Sequence, residues 1–374
     1  MGNGHSEKVP EIREAKFRVG VETEIPLAVT KRDEVGKANG LLEGTDALRE
    51  LAILFNKHGL IAYDSAVDHE HDYSKWAITI DPSIEVGHEL KGVGSPIEIK
   101  SPPMCIDKMK HGIRFRTMWE IIEPFMIRNI EYWKMASTHV HFSLKNTEFP
   151  IEVAQQLAFC VVYFEKAIDD ILPGMTHAKD KKRPGGWKNC DRFAKRNRVR
   201  PLRNGRKPLD DLKSCWEAIR DTGNIYEIAE LMCYDDDAYR RSFGQIIKNW
   251  KWNFKGIDFK TIEFRHMPPS RSAQETVDWI TFTTQFVQAA ADVNRDMLDR
   301  ACDSREISFT EAVGLELSVD RQNQLDWEDH WAADGQPNKV LFHQFKYFMQ
   351  GDAEFWDRII SIRDGIENEL ARLP

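Results

Sequence analysis

Glu22 and Glu24, His139 and His141, and Glu263 and Arg265 each stand two residues apart, inside the apolar-flanked segments FRVGVETEIPL, ASTHVHFSL and KTIEFRHMPPS. In an extended strand, residues i and i+2 point to one face. Each segment therefore presents a pair of charged or imidazole groups there, while its apolar neighbours hold the other face. Taken singly, each pair has a plain explanation. An E-x-E strand is commonly a solvated face, H-x-H a structural pair or zinc ligands, and E-x-R an exposed ion pair of small energetic worth. If the three strands share a sheet, however, their common face is too polar for packed core and reads as a cavity for divalent metal and a polyanion. That is the chemistry of phosphoryl transfer, and the acidic company argues against zinc.

Two further segments extend the set. Trp76–Ile80 reads as a strand that leads through a turn at Asp81 and Pro82 to Glu85. In the proline-bounded strand from Pro96 to Pro102, apolar Ile97 and Ile99 alternate with Glu98 and Lys100. Magnesium and manganese prefer hard oxygen ligands and tolerate an imidazole, so Glu22, Glu24, Glu85, Glu98 and Glu263 with His139 suit them. Unneutralised, these carboxylates would repel strongly. Two bound divalent ions remove that cost and make a site for a triphosphate.

In their order and wording these segments resemble the amidoligase family of the glutamine synthetase and glutamate-cysteine ligase superfamily. The matching elements are G-V-E-T-E, D-P-S-I-E, I-E-I-K-S-P, S-T-H-V-H-F-S-L, E-K-A-I-D-D-I-L-P, W-N-F and T-I-E-F-R, between Phe17 and about Trp279. The resemblance implies ATP-dependent joining of a carboxylate to an amine. It implies that Glu22 and Glu24 ligate different metals, Glu98 supporting the first and His139 and Glu263 the second. His141 would lie beside ATP or the reacting carboxylate, Arg265 near the transferred phosphate, and Asn253 against substrate. Arg271, six residues past Arg265, is a second candidate for the arginine role.

The elements that must position these groups alternate strand with helix. Thr45–His58 carries Leu48, Leu51, Ala52 and Phe55 at helical spacing with Gly59 as a stop, and Met109–Ile127 and Ile151–Ile171 read as longer amphipathic helices. Ala273–Leu298 continues in helical rhythm. With no glycine-rich phosphate loop and no internal repeat, the pattern predicts an α+β fold, and the resemblance implies that it is of glutamine synthetase type. In it, a curved antiparallel β-sheet carries the active site on its concave face, with helices outside. The expected organisation is a disordered N-terminus over 1–16, a catalytic domain over 17–300 and a helical C-terminal extension over 301–374. Within that extension lie helical patterns at Val340–Met349 and Glu354–Leu373 and an acidic segment rich in tryptophan, Asp326–Trp331.

Between Lys179 and Lys207 thirteen Lys and Arg face only two Asp, in a chain whose formal net charge is -8. This stretch reads as a long basic loop that could close over phosphates as a lid, with Arg198, Arg200 and Arg203 as the candidates to reach ATP. A solvated basic loop, or a contact for an acidic protein, is the plain alternative. The acidic balance does not favour nucleic acid or an anionic membrane as partner. Six cysteines without a C-x-x-C pair, no signal peptide and no membrane-spanning window point to reduced thiols in the cytoplasm. The opening Met1-Gly2-Asn3-Gly4-His5-Ser6 also fits the bare myristoylation pattern.

The reading is thus an ATP- and magnesium- or manganese-dependent ligase acting on small-molecule carboxylate and amine substrates, with homo-oligomerisation open. Two alternatives remain: a guanidino-kinase-like phosphotransferase on the same fold, and a non-catalytic ATP or metabolite binder. The second would be expected to show gaps in the acidic set, and none of Glu22, Glu24, Glu98, His139 or Glu263 is missing.

Overall fold

The computed structural model describes residues 17–32, 38–64, 72–81, 92–105, 108–128, 133, 136–144, 149–173, 209, 211–233, 250–254, 260–304, 307–314 and 345–372. Strand β1 (Phe17–Leu27) is the hub of the main sheet. Its Val19, Val21, Thr23 and Ile25 are buried, and β-branched residues of this kind fit a pleated surface better than a helix. The other strands are β2 (Thr30–Arg32), β3 (Ala38–Leu41), β4 (Ala62–Asp64), β5 (Trp76–Ile80), β6 (Ser95–Lys100), β7 (Met104–Cys105), β8 (Thr138–Leu144), β9 (Trp252–Asn253) and β10 (Ile262–Met267). The sheet runs β4-β5-β6-β1-β8-β10-β9, with β7 paired to the start of β1, while β2 and β3 form a separate ladder.

The fold is therefore α+β with a mixed, open eight-stranded sheet. The wholly antiparallel sheet expected from the sequence is corrected at one edge, where β4 and β5 run parallel. Parallel neighbours need a crossover in place of a tight hairpin, and the chain between Asp64 and Trp76 is far longer than a hairpin turn.

The helices of the described residues include α1 (Gly44–Lys57), α2 (Lys108–Ile122), α3 (Ile151–Ile171), α4 (Leu212–Arg220), α5 (Ile225–Met232), α6 (Ala273–Ala291), α7 (Arg295–Asp303), α8 (Phe309–Ala312) and α9 (Ala353–Ala371). Helices α1, α2 and α6 cover the apolar side of the sheet. Trp76 of β5 packs edge-on to Phe55 of α1 and Phe115 of α2, both at 5.8 Å. Trp252 and Phe264 stack at 4.5 Å across β9 and β10 and meet Phe286 and Phe282 of α6. The buried Trp119 indole of α2 donates to Thr276 of α6 at 2.9 Å. Helix α3 lies on α6, and α4 and α5 pack on α3.

Two helices are shorter than their periodicity suggests. The one expected to run to Ile127 ends at Ile122, and a 3-10 turn over Glu123–Phe125 follows, because Pro124 has no N–H to continue the ladder. The one expected to run to Leu298 breaks after Ala291, and Asn294 caps a new helix by accepting from the Met297 amide. Helix α1 stops as expected, with Gly59 at φ +79°, a conformation only glycine adopts freely.

The C-terminal helix α9 packs on α6: Trp356 meets Phe282 at 6.5 Å, and Arg358 bonds Asp278 at 3.0 Å. The N-terminal 1–16, the basic stretch 179–207 and the segment 326–331 lie outside the described residues. Among the described residues no helix is long and apolar enough to cross a membrane.

Candidate active site

The charged groups gather on the opposite side of the sheet, across its central strands. Glu22 on β1 stands directly opposite His139 on β8 and Lys100 on β6, and Glu24 stands opposite Glu98. Glu263 on β10 lies opposite His141 on one side and Asn253 on the other. Directly opposed residues share a face, so five adjacent strands, β6, β1, β8, β10 and β9, contribute to one polar row.

His139 is its centre, with Nδ1 at 3.2 Å from Glu22 and 3.4 Å from Glu263, and Nε2 at 3.5 Å from Glu24. The Ser137 hydroxyl donates to Glu24 at 2.6 Å and lies equally close to His139 Nε2. His141 Nε2 lies 3.3 Å from Glu22 and 3.5 Å from Glu263. Arg265 donates to Glu263 through its guanidinium, and Asn253 donates to the other Glu263 oxygen at 2.9 Å. Lys100 Nζ lies 2.9 Å from Glu98 and 3.7 Å from Glu22.

These neighbours divide the carboxylates into two kinds. Burial opposes ionisation of Glu22, yet His141, His139 and Lys100 outweigh it and hold the acid well below its usual range. Glu263 is lowered in the same way, chiefly by Arg265 and then His141. At the other end burial wins. It pushes Glu24 well up against the Ser137 hydrogen bond, with Asp81 and Glu98 adding repulsion. Burial and the Glu22 charge push Glu98 up to about 8 in spite of Lys100. Burial and then Arg265 lower His139, whereas Glu263 and Glu22 raise His141 against its burial. The row thus holds ionised, paired acids beside β8 and β10 and proton-retaining acids beside β6.

Among the described residues, three groups place donor atoms within 4.8 Å of one another: Glu22, Glu98 and His139; Glu22, His141 and Glu263; and Glu24, Asp81 and Glu98. Carboxylate oxygens dominate each group, as hard divalent ions require, so the residues present fit magnesium or manganese. The grouping differs from the one the resemblance implies. Glu263 falls with Glu22 and not with Glu24, and Glu98 falls with Glu24 as well as with Glu22.

The structure brings together Glu22, Glu24, Glu98, His139, His141, Glu263, Arg265 and Asn253. Arg271 is elsewhere, just before α6, where it bonds Glu275 at 3.1 Å and Glu369 of α9 at 2.8 Å. Glu85, Arg198, Arg200 and Arg203 lie outside the described residues. Asp81, read from the sequence only as a turn residue, stands just past the end of β5, where its amide still donates to the Pro96 carbonyl at 3.1 Å. The period-two rule applied one step further, from Thr79 to Asp81, would have found it. The same step back from His139 reaches Ser137.

The profile of a family described as a putative amidoligase enzyme matches residues 15–287, a span that holds every strand of the sheet. No curated protein matches the chain.

Proposed function

Because this chain belongs to the amidoligase family, we propose that it is an ATP-dependent carboxylate-amine ligase of the glutamine synthetase and glutamate-cysteine ligase superfamily, working through an acyl phosphate. The observation that carries this reading is the row of overlapping carboxylate and imidazole groups on the central strands. Of the three groups, only Glu24, Asp81 and Glu98 on one hand and Glu22, His141 and Glu263 on the other share no residue. They are the assigned seats of two divalent cations, with His139 between them fixing both sides. Glu85 is kept as a further carboxylate for the set. Such ions, when bound, draw charge off the phosphates of ATP.

In the first step a substrate carboxylate oxygen attacks the terminal phosphorus of ATP; a P–O bond forms, and the bond to the leaving ADP oxygen breaks. Carboxylate is a poor electrophile, because its leaving group would be oxide. The acyl phosphate instead loses inorganic phosphate when an amine attacks, and the amide forms with release of a proton. Arg265, held by Glu263, is aimed to neutralise charge that develops on the transferred phosphoryl group. His141 lies beside it on the same face, and Asn253 offers an amide to substrate. Arg198, Arg200 and Arg203 in the basic stretch are assigned to ATP phosphates, that stretch closing as a lid to keep water from the intermediate. Arg271, tied to α6 and α9, is left without a part in the chemistry.

The substrates are assigned as a small carboxylate, an amino acid by weight of family, and an amine, within cytoplasmic small-metabolite synthesis. Neither nucleic acid nor a membrane is a partner in this reading, and self-association is left to measurement. ATP turnover with magnesium, screened over pools of carboxylates and amines with hydroxylamine as trap, tests it. Hydroxamate from one acid is expected. A phosphorylated product with no hydroxamate would instead indicate a phosphotransferase. Glu22→Gln should abolish turnover, and full activity in that variant would sink the metal assignment.

A further inference from the structure

Granted the divalent-ion role proposed for this face, we infer that Lys100 is a tethered cation that holds the middle position of the carboxylate row, between Glu22 and Glu98, in competition with a divalent ion. Its Nζ sits 2.9 Å from a Glu98 oxygen and 3.7 Å from a Glu22 oxygen. Those two residues, with His139, make the one group of donors that overlaps both of the others. The ammonium therefore meets both acids, Glu22 and Glu98, that the two proposed seats would each turn toward an ion.

Its placement on the strand suits such a role. Lys100 ends β6, directly opposite Glu22 on β1 and opposite Ala77 on β5. Alanine on that flank sets no long side chain against the four-carbon stem. The Lys100 side chain is 41% exposed, against 11% for Glu98 and 18% for Glu22, so it can leave the row for solvent without stranding a buried charge, whereas the two acids cannot follow it. A lysine presents a compact point charge on a flexible stem, which makes it a displaceable neutraliser. With Lys100 in place, Glu22 and Glu98 lie close together without an external ion; with a divalent ion in place, the same two charges are met more strongly and the ammonium is repelled.

A supporting role and a competing role predict opposite signs. A lysine that merely props up the metal ligands would, on removal, weaken metal binding. A competitor, on removal, strengthens it. Binding of manganese to the full chain, read from the electron paramagnetic resonance of the free ion, separates the two for wild type, Lys100→Met and Lys100→Arg. The neutral variant should bind manganese at least about tenfold more tightly, since a near-contact cation opposes the ion in a partly buried setting. Lys100→Arg keeps the charge and should stay within about threefold of wild type. Metal-free Lys100→Met should melt below wild type, and saturating manganese should remove the gap. Lys100→Gln serves the same comparison if the methionine variant fails to fold. Equal or weaker manganese binding by both neutral variants would overturn the competing role while leaving the metal site intact. A wild-type protein that takes up no manganese would instead overturn the metal reading and this role together.

Discussion

Replacing Glu98 with glutamine tests the charge logic of the row without reference to any substrate. Glu98 is buried beside Glu22, and its ionisation is pushed up to about 8 from the ordinary 4.5. The unfolded chain gives up this proton near 4.5, so between 4.5 and 8 the folded protein binds more protons than the unfolded one. Stability must then fall as pH rises through that window. Between pH 6 and pH 8 the linkage amounts to about 2 kcal/mol. Glutamine has the shape of the neutral acid and carries no titrating proton, so Glu98→Gln should be the more stable protein in the presence of chelator. Its margin over wild type should widen by about 2 kcal/mol from pH 6 to pH 8. Urea unfolding of both proteins at the two pH values reads this difference, and titrations common to both cancel to first order. Magnesium should reverse the ranking, since an ion that needs the ionised carboxylate stabilises wild type by mass action and the variant less. A margin that stays flat or narrows with pH in chelator would refute the reasoning.

Two further substitutions probe how the row is held. Lys251→Met removes a buried ammonium that bonds Asp169 of α3 and lies 3.6 Å from Glu165. Leaving those acids in place should cost about 3–5 kcal/mol in urea unfolding, and a loss below about 1 kcal/mol would show that the pair is not needed. At Gly94, just before β6, a Cβ would fall 2.6 Å from the Leu27 carbonyl oxygen. Gly94→Ala should therefore cost about 1–3 kcal/mol and weaken manganese binding by shifting Glu98 relative to Glu24; unchanged binding would show that β6 has slack there.

Strand faces were legible in the sequence, and sheet edges were not. Period-two spacing in β1, β8 and β10 places Glu22, His139 and Glu263 on one face because a strand has only two faces and the other is filled by Val21, Val140 and Phe264. The parallel pairing of β4 with β5 depends on how the chain crosses between them, which no side-chain pattern records. Asp81 was hidden by its neighbour: Asp followed by Pro is the usual signature of a turn, and one hydrogen bond beyond the end of β5, from the Asp81 amide to Pro96, keeps it beside Glu98. Which acids share a cation depends on register, a quantity set across strands and invisible along one of them. Glu24 faces Glu98 only because β6 pairs with β1 at that offset. Arg271 shows the opposite limit, since its partner Glu369 lies nearly a hundred residues away on a helix beyond the matched family span.

Seen as charge, the row is a device that needs little rearrangement to change state. Five acids, Glu22, Glu24, Asp81, Glu98 and Glu263, meet the side-chain cations of Lys100 and Arg265, while His139 is held toward its neutral form by burial and by Arg265. The shortfall is met at the β10 end by pairing Glu263 with Arg265 and raising His141, and at the β6 end by protons kept on Glu24 and Glu98. On the proposed assignment, a divalent ion at Glu24, Asp81 and Glu98 displaces those protons, and one at Glu22, His141 and Glu263 displaces the proton favoured on His141. Ion for proton, the charge on the face changes little, so the apolar side beneath it, close-packed from Val21 to Phe264, is given no reason to repack. Binding of the ions then reduces to a local exchange of charge on strands whose backbones are already fixed in register. Such a face can be arranged for a phosphoryl group before the phosphoryl group arrives.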